Sequence, residues 1–158
     1  MIATLKPISS LLSSAALLLC GVGLLNVILA LRGSLEGFSD SVVGAVMSAY
    51  FVGFLIGTWC CPRIVQTVGH IRSYALFTSV AGATALLHLM FIDPWAWAVL
   101  RVLAGVALVG VYMVIESWLN VQAPRESRGQ IFAVYMVVNF LALAASQFLL
   151  LAYPLTSF

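Results

Sequence analysis

Arg101 and Glu116 are the side chains whose chemistry stands out, because both lie within long apolar runs where a charge is expensive. An arginine near mid-membrane costs about 2.5–3.5 kcal/mol on insertion scales, so it calls for a cavity, a partner or an interface. At 100° per residue, Arg101, Gly105, Leu108, Tyr112 and Glu116 share one helix face. A cation stands towards one end of that stripe and a carboxylate at the other. If Arg101 faces a water-filled cavity, it can bind an anionic group or a coupling carboxylate. The alternatives are that it snorkels to the outer interface or pairs with a structural partner such as Asp93. Glu116 is the one carboxylate within an apolar run, which makes it a proton-carrier candidate, but it also lies close in sequence to Arg125 and Arg128, which suits a structural ion pair.

A weaker polar face follows. Tyr135, Asn139, Ala142 and Ser146 align on a later helix and could line the same cavity as Arg101, with Asn26 as a further candidate. For either asparagine, an interhelical hydrogen bond that holds the bundle together is the competing role. His88 is expected at the outer boundary. No Gly-rich phosphate loop with a lysine, nucleophile-base pair or His-x-x-x-His spacing occurs, so the expectation is a protein that is not an enzyme and needs no cofactor or metal. Cys20, Cys60 and Cys61 read as small packing residues. Basic residues are too few and too scattered to bind nucleic acid.

The elements that must position these residues are five apolar blocks, approximately 8–31, 41–61, 73–91, 95–119 and 129–153. Each is near or above the ~20 residues that span a hydrocarbon core as a helix. Hydrophobic residues make up 63% of the chain and charged residues 8%, with a mean hydropathy of +1.14. That composition excludes a water-soluble fold, because one soluble core could not hide five such blocks, whereas in lipid each helix satisfies its own backbone. The expected fold is an all-α transmembrane bundle with the lipid bilayer as its first partner. Lys6 and the first block mimic a secretory signal, but the long apolar stretch and the four spans after it point to a retained helix.

Loop charge orients the bundle. Lys6, Arg63, Arg72, Arg125 and Arg128 fall on one side of the alternating spans, and Arg32 alone on the other with Glu36, Asp40 and Asp93. Because short Lys/Arg-rich loops stay cytoplasmic, the N-terminus is expected inside and the C-terminus outside. Helix two is expected to end near Pro62 or soon after, with Gly69 at a tight turn and Ser73 capping helix three. The link Ile92-Asp-Pro-Trp95 is short enough to make helices three and four antiparallel neighbours, with Trp95 and Trp97 in an outer aromatic belt. In span two, Ala45, Ala49, Gly53, Gly57 and Cys61 form a small-residue stripe that lets another helix approach closely. The stripe suits packing within one subunit, a dimer interface, or a helix that rocks against its neighbour.

Several segments resemble the N-terminal half of a major facilitator superfamily (MFS) transporter. Pro62-Arg-Ile-Val-Gln66-Thr-Val-Gly69-His-Ile-Arg72 is similar to that family's loop Gly-x-x-x-Asp-Arg-x-Gly-Arg-Arg: Gly69 and Arg72 match, while Pro62, Gln66 and Thr67 depart from it. Arg101-x-x-x-Gly105 resembles the family's Arg-x-x-x-Gly signature, and Pro124-x-x-x-Arg128-Gly129 its approach to helix five. With Glu116-Ser-Trp-Leu-Asn120, these resemble a bacterial branch whose substrates are largely unassigned.

The resemblance implies three-helix inverted repeats and alternating access around a central cavity in a bacterial inner membrane. It implies a cavity lined by Asn26, Arg101, Tyr112 and Asn139, and a cytoplasmic hinge and latch of Gly69, Arg72, Glu116 and Arg128. The expected partners are a small solute, a proton as the candidate coupling ion, and a second six-helix half or a homo-oligomer partner. Helix five lacks the Gly-x-x-x-Gly-Pro pattern of antiporter branches, which leaves the coupling direction open. Five spans where the family normally has twelve lead to the expectation of an incomplete N-terminal portion. The readings kept beside it are a non-transporting membrane scaffold or regulatory module that uses the helix-two stripe, and an inactive partial reading frame.

Overall fold

A computed structural model describes the backbone over residues 2–152 and the side chains over residues 9–150. Within it the chain forms α1 (Ile2–Leu35), α2 (Asp40–Val68), α3 (His70–Met90), α4 (Pro94–Gln122) and α5 (Arg128–Ala152), with no strand among the described residues. All five are long and apolar enough to cross a membrane. The chain is a multi-pass membrane protein. Its contacts divide into two units, one of Met1–Ile28 with Leu119–Phe158 and one of Leu29–Trp118.

The helix ends follow local chemistry. Past Leu35 the chain turns at Gly37, whose φ of +82° only glycine adopts freely. There Phe38 N–H donates to Gly33 O (2.9 Å) and Gly37 N–H to Ser34 O (3.2 Å), which satisfies carbonyls that the helix end would otherwise orphan. At the start of α4, Asp93 accepts from Ala96 N–H through Oδ1 (2.9 Å), with Pro94 in the first helical position.

Two boundaries differ from the sequence expectation. Helix α2 continues through Pro62 to Val68, because a proline inside a helix removes one hydrogen bond without ending the helix where surrounding packing holds it. Ser73 does not cap α3. Gly69, at φ +88°, is the last stop of α2 and the first of α3: its N–H donates to Val65 O and its carbonyl accepts from Ser73 N–H.

In the second unit α4 is the core helix. In its most apolar stretch 56% is buried, against 17–22% in the other four. It lies antiparallel to α3: Trp97 meets His88, Gly110 meets Phe77, and Ser117 meets His70, so one sequence climbs as the other descends. It lies parallel to α2: Gly105 faces Tyr50 and Gly53, while further along Val106 and Val109 face Gly57. In the first unit the buried face of α1 (Leu11, Ala15, Leu19) and that of α5 (Ile131, Tyr135, Ala142, Ser146) follow helical spacing. Gly23 of α1 meets Ser146 and Leu143 of α5.

Candidate functional site

Arg101 sits about 10 Å past Pro94 at ~1.5 Å rise per residue, and it is only 3% exposed. Its placement is set by the fit of α2 to α4. A Cβ at Gly105 would overlap Tyr50 O and come within 2.8 Å of Phe54 N, and one at Gly53 would overlap the Val102 backbone. Two backbones therefore touch where the side chains vanish, the geometry that small residues allow between membrane helices. Cys61 extends the contact with its thiol donating to Val106 O (3.5 Å).

That close approach delivers Tyr50. The Arg101 guanidinium carbon lies 4.9 Å from the centroid of the Tyr50 ring, while the carbonyl of the same Tyr50 is what Gly105 accommodates. A desolvated cation–π contact is worth about 2 kcal/mol or more, comparable with the ~2.5–3.5 kcal/mol insertion cost of the arginine. The ring thus offsets much of the cost of the charge. Among the described residues, Arg101 has no ion pair and no hydrogen-bond acceptor, and its Nε is buried without a partner. The Asp93 pairing does not form: that carboxylate caps α4.

A second polar cluster stands beside the first on the same helix. Trp97, which precedes Arg101 by one turn, is 1% exposed rather than in the aromatic belt, and its indole N–H donates to His88 O (3.1 Å) and Phe91 O (2.6 Å). Phe38 meets it edge-on at 5.4 Å. Trp95 is 82% exposed, where lipid would meet it. His88, two residues from the end of α3, is fully buried: Nδ1 pairs with Thr84 O at 2.6 Å, and Nε2 has no partner among the described residues. The belt expectation failed for one tryptophan because neighbouring aromatics look alike in sequence, while a helix turns them about 200° apart.

The other candidates divide between the units. Tyr112 lies with Arg101 in the second unit, half-buried. Asn26 and Asn139 lie in the first, each with a buried Oδ1 that has no hydrogen-bond partner among the described residues. On the face of α5 holding Asn139, Tyr135, Ala142 and Ser146 are all buried. Of the small-residue stripe, Gly53 and Gly57 lie under α4, Ala49 is half-buried and Ala45 is exposed. A shallow groove lined by Leu55, Ile56, Trp59, Cys60 and Arg63 contains none of the cavity candidates.

At the far end of the second unit, Gly69 makes the α2–α3 turn and His70 Nε2 meets Ser117 Oγ at 2.9 Å, tying the start of α3 to the end of α4. Arg72 and Glu116 are exposed, and Glu116 makes no ion pair among the described residues. Arg128, in the first unit, is half-buried with its Nε unpartnered among the described residues. Sequence reasoning missed Tyr50 and His70. A tyrosine within an apolar span and a histidine beside Gly69 were the available signals.

The chain is 34% identical over 145 residues to the uncharacterized MFS-type transporter YcaD of Escherichia coli O139:H28 (strain E24377A / ETEC), a stretch covering 91% of this chain and 38% of that protein. The same protein from the SMS-3-5 / SECEC and O157:H7 (EC4115 / EHEC) strains matches with the same identity and coverage. Over most of its length the chain is thus similar to the N-terminal part of an MFS-type transporter. It spans 38% of the length of these curated relatives. No protein-family model matches it, and no solved structure does. In this chain the Arg-x-x-x-Gly pair spans a single residue of the facing helix: Gly105 takes the Tyr50 backbone and Arg101 its ring.

Proposed function

We propose that this chain supplies the N-terminal helices of a secondary active transporter that moves a small solute by alternating access. The observation that carries the reading is Arg101, a permanent cation buried at membrane depth with no carboxylate beside it among the described residues. A structural arginine in lipid is ordinarily neutralised by an acidic partner or by backbone carbonyls, whereas one held by a ring keeps its N–H donors for a ligand. The solute class this favours is anionic or zwitterionic. Asn26, Tyr112 and Asn139 are proposed to line the same cavity. Gly69, Arg72, Glu116 and Arg128 are proposed as the cytoplasmic hinge and latch, with the N-terminus in the cytoplasm and the C-terminus outside.

The partners in this reading are a second MFS half or a homo-oligomer partner, and a coupling proton. The scaffold alternative needs the helix-two stripe as its docking face, and α4 already covers Gly53 and Gly57. The test uses the complete transporter that contains this chain, screened with labelled small carboxylates, amino acids and phosphate. Arg101→Ala is expected to lower uptake of the carried solute at least ~10-fold, a loss of about 1.4 kcal/mol in transition-state stabilisation, with membrane expression unchanged. Wild-type uptake by that variant would sink the cavity role.

A further inference from the structure

We infer that Tyr50 is the positioning residue for Arg101: its ring holds the guanidinium without an N–H···O bond and so leaves N–H donors to meet an anionic group. The inference rests on the reading of Arg101 as solute-facing. Three observations carry it. The guanidinium carbon lies 4.9 Å from the Tyr50 ring centroid. Arg101 is 3% exposed, and among the described residues nothing else of opposite charge or accepting capacity meets it. The Tyr50 backbone is locked, because Gly105 receives its carbonyl and Gly53, on the same side of α2, abuts the Val102 backbone.

The chemistry separates a ring from a carboxylate as a partner. A carboxylate takes the guanidinium edge-on through paired N–H···O bonds and uses the donors that an anionic solute would need. An aromatic ring attracts the cation through its quadrupole and needs no paired N–H···O bonds to do so. Phe54 and Phe51 flank Tyr50 with ring centroids 6.2 Å and 5.4 Å away, which limits the rotations open to it. Arg101 is therefore held without being neutralised. The spacing of Arg101 and Gly105 follows: one helical turn separates the site that accepts the Tyr50 carbonyl from the site that accepts its ring.

The test replaces residue 50 of the purified chain in detergent micelles, first by Tyr50→Phe, then by phenylalanines bearing one, three and five ring fluorines. Size is nearly constant along that series while the ring's attraction for a cation is stripped stepwise. The expected result is a melting temperature that falls step by step with fluorination, and reactivity of Arg101 towards phenylglyoxal, read by mass spectrometry, that rises at least ~10-fold from first to last. In an Arg101→Gln background the melting series is expected to be flat. A flat series with Arg101 present, or an equal slope without it, would show that packing alone holds the pair and would overturn the inference. A graded series accompanied by full uptake in Arg101→Ala of the complete transporter would also overturn it, because the ring would then be holding an arginine that no solute meets. The first failure leaves the cavity reading standing and the second removes it.

Discussion

Both units close a helix–helix contact over a glycine, but what the glycine faces is different. In the second unit Gly53 and Gly105 face backbone atoms of the opposing helix, Val102 and Tyr50 respectively. In the first unit Gly23 faces side chains, Ser146 and Leu143. Backbone in a helix cannot step aside without moving the whole rod, whereas a side chain can change rotamer. The α2–α4 contact is therefore a rigid pairing that fixes Tyr50 and Arg101 together, and the α1–α5 contact is one that can be adjusted.

The comparison can be broken by adding one methyl group at a time. Gly105→Ala or Gly53→Ala is expected to cost at least the ~3 kcal/mol of severe overpacking, seen as the largest fall in melting temperature of the purified chain. A loss no greater than that of Gly23→Ala would erase the distinction. Gly110→Ala comes next, because the Phe77 ring it would crowd at 2.6 Å can turn; about 1–3 kcal/mol is expected. Gly23→Ala is expected to cost about 1 kcal/mol and to be partly relieved by Ser146→Ala, since the Ser146 hydroxyl is the nearest atom. A double variant no more stable than the single one would mean that α1 and α5 are as fixed as α2 and α4. The smallest effect is expected at Gly44, which has nothing within 4 Å of an added Cβ. Gly44→Ala should leave stability unchanged or raise it by about 0.5–1 kcal/mol through backbone entropy.

Much of this was legible in the chain. Five helices long and apolar enough to cross a membrane follow from block length, because lipid leaves a backbone few other choices. The short Ile92–Trp95 link forces α3 and α4 side by side, and the structure pairs them antiparallel through Trp97 and His88. The site was legible only in part. Arg101 announces itself by its cost, but its partner is a tyrosine more than fifty positions earlier that no local pattern joins to it. The burial of Trp97 and His88 was hidden for a related reason: the Trp97 indole N–H donates to the carbonyls of His88 and Phe91, and that pairing depends on how α3 and α4 meet.

By itself, the sequence determined which segments are long and apolar enough to cross a membrane, that the chain turns at Gly69, and that a charge had to be accommodated within an apolar run. These are set by hydropathy, by glycine and proline, and by the price of desolvation, all of which act over a few turns of chain. Tertiary structure alone decided which stripe residues pack, with Gly53 and Gly57 under α4 and Ala45 exposed. It also decided that Arg101 would be met by an aromatic face rather than by Asp93. Both outcomes turn on how closely two helices that are not sequence neighbours can approach, a distance set jointly by the small residues on each and written on neither one alone.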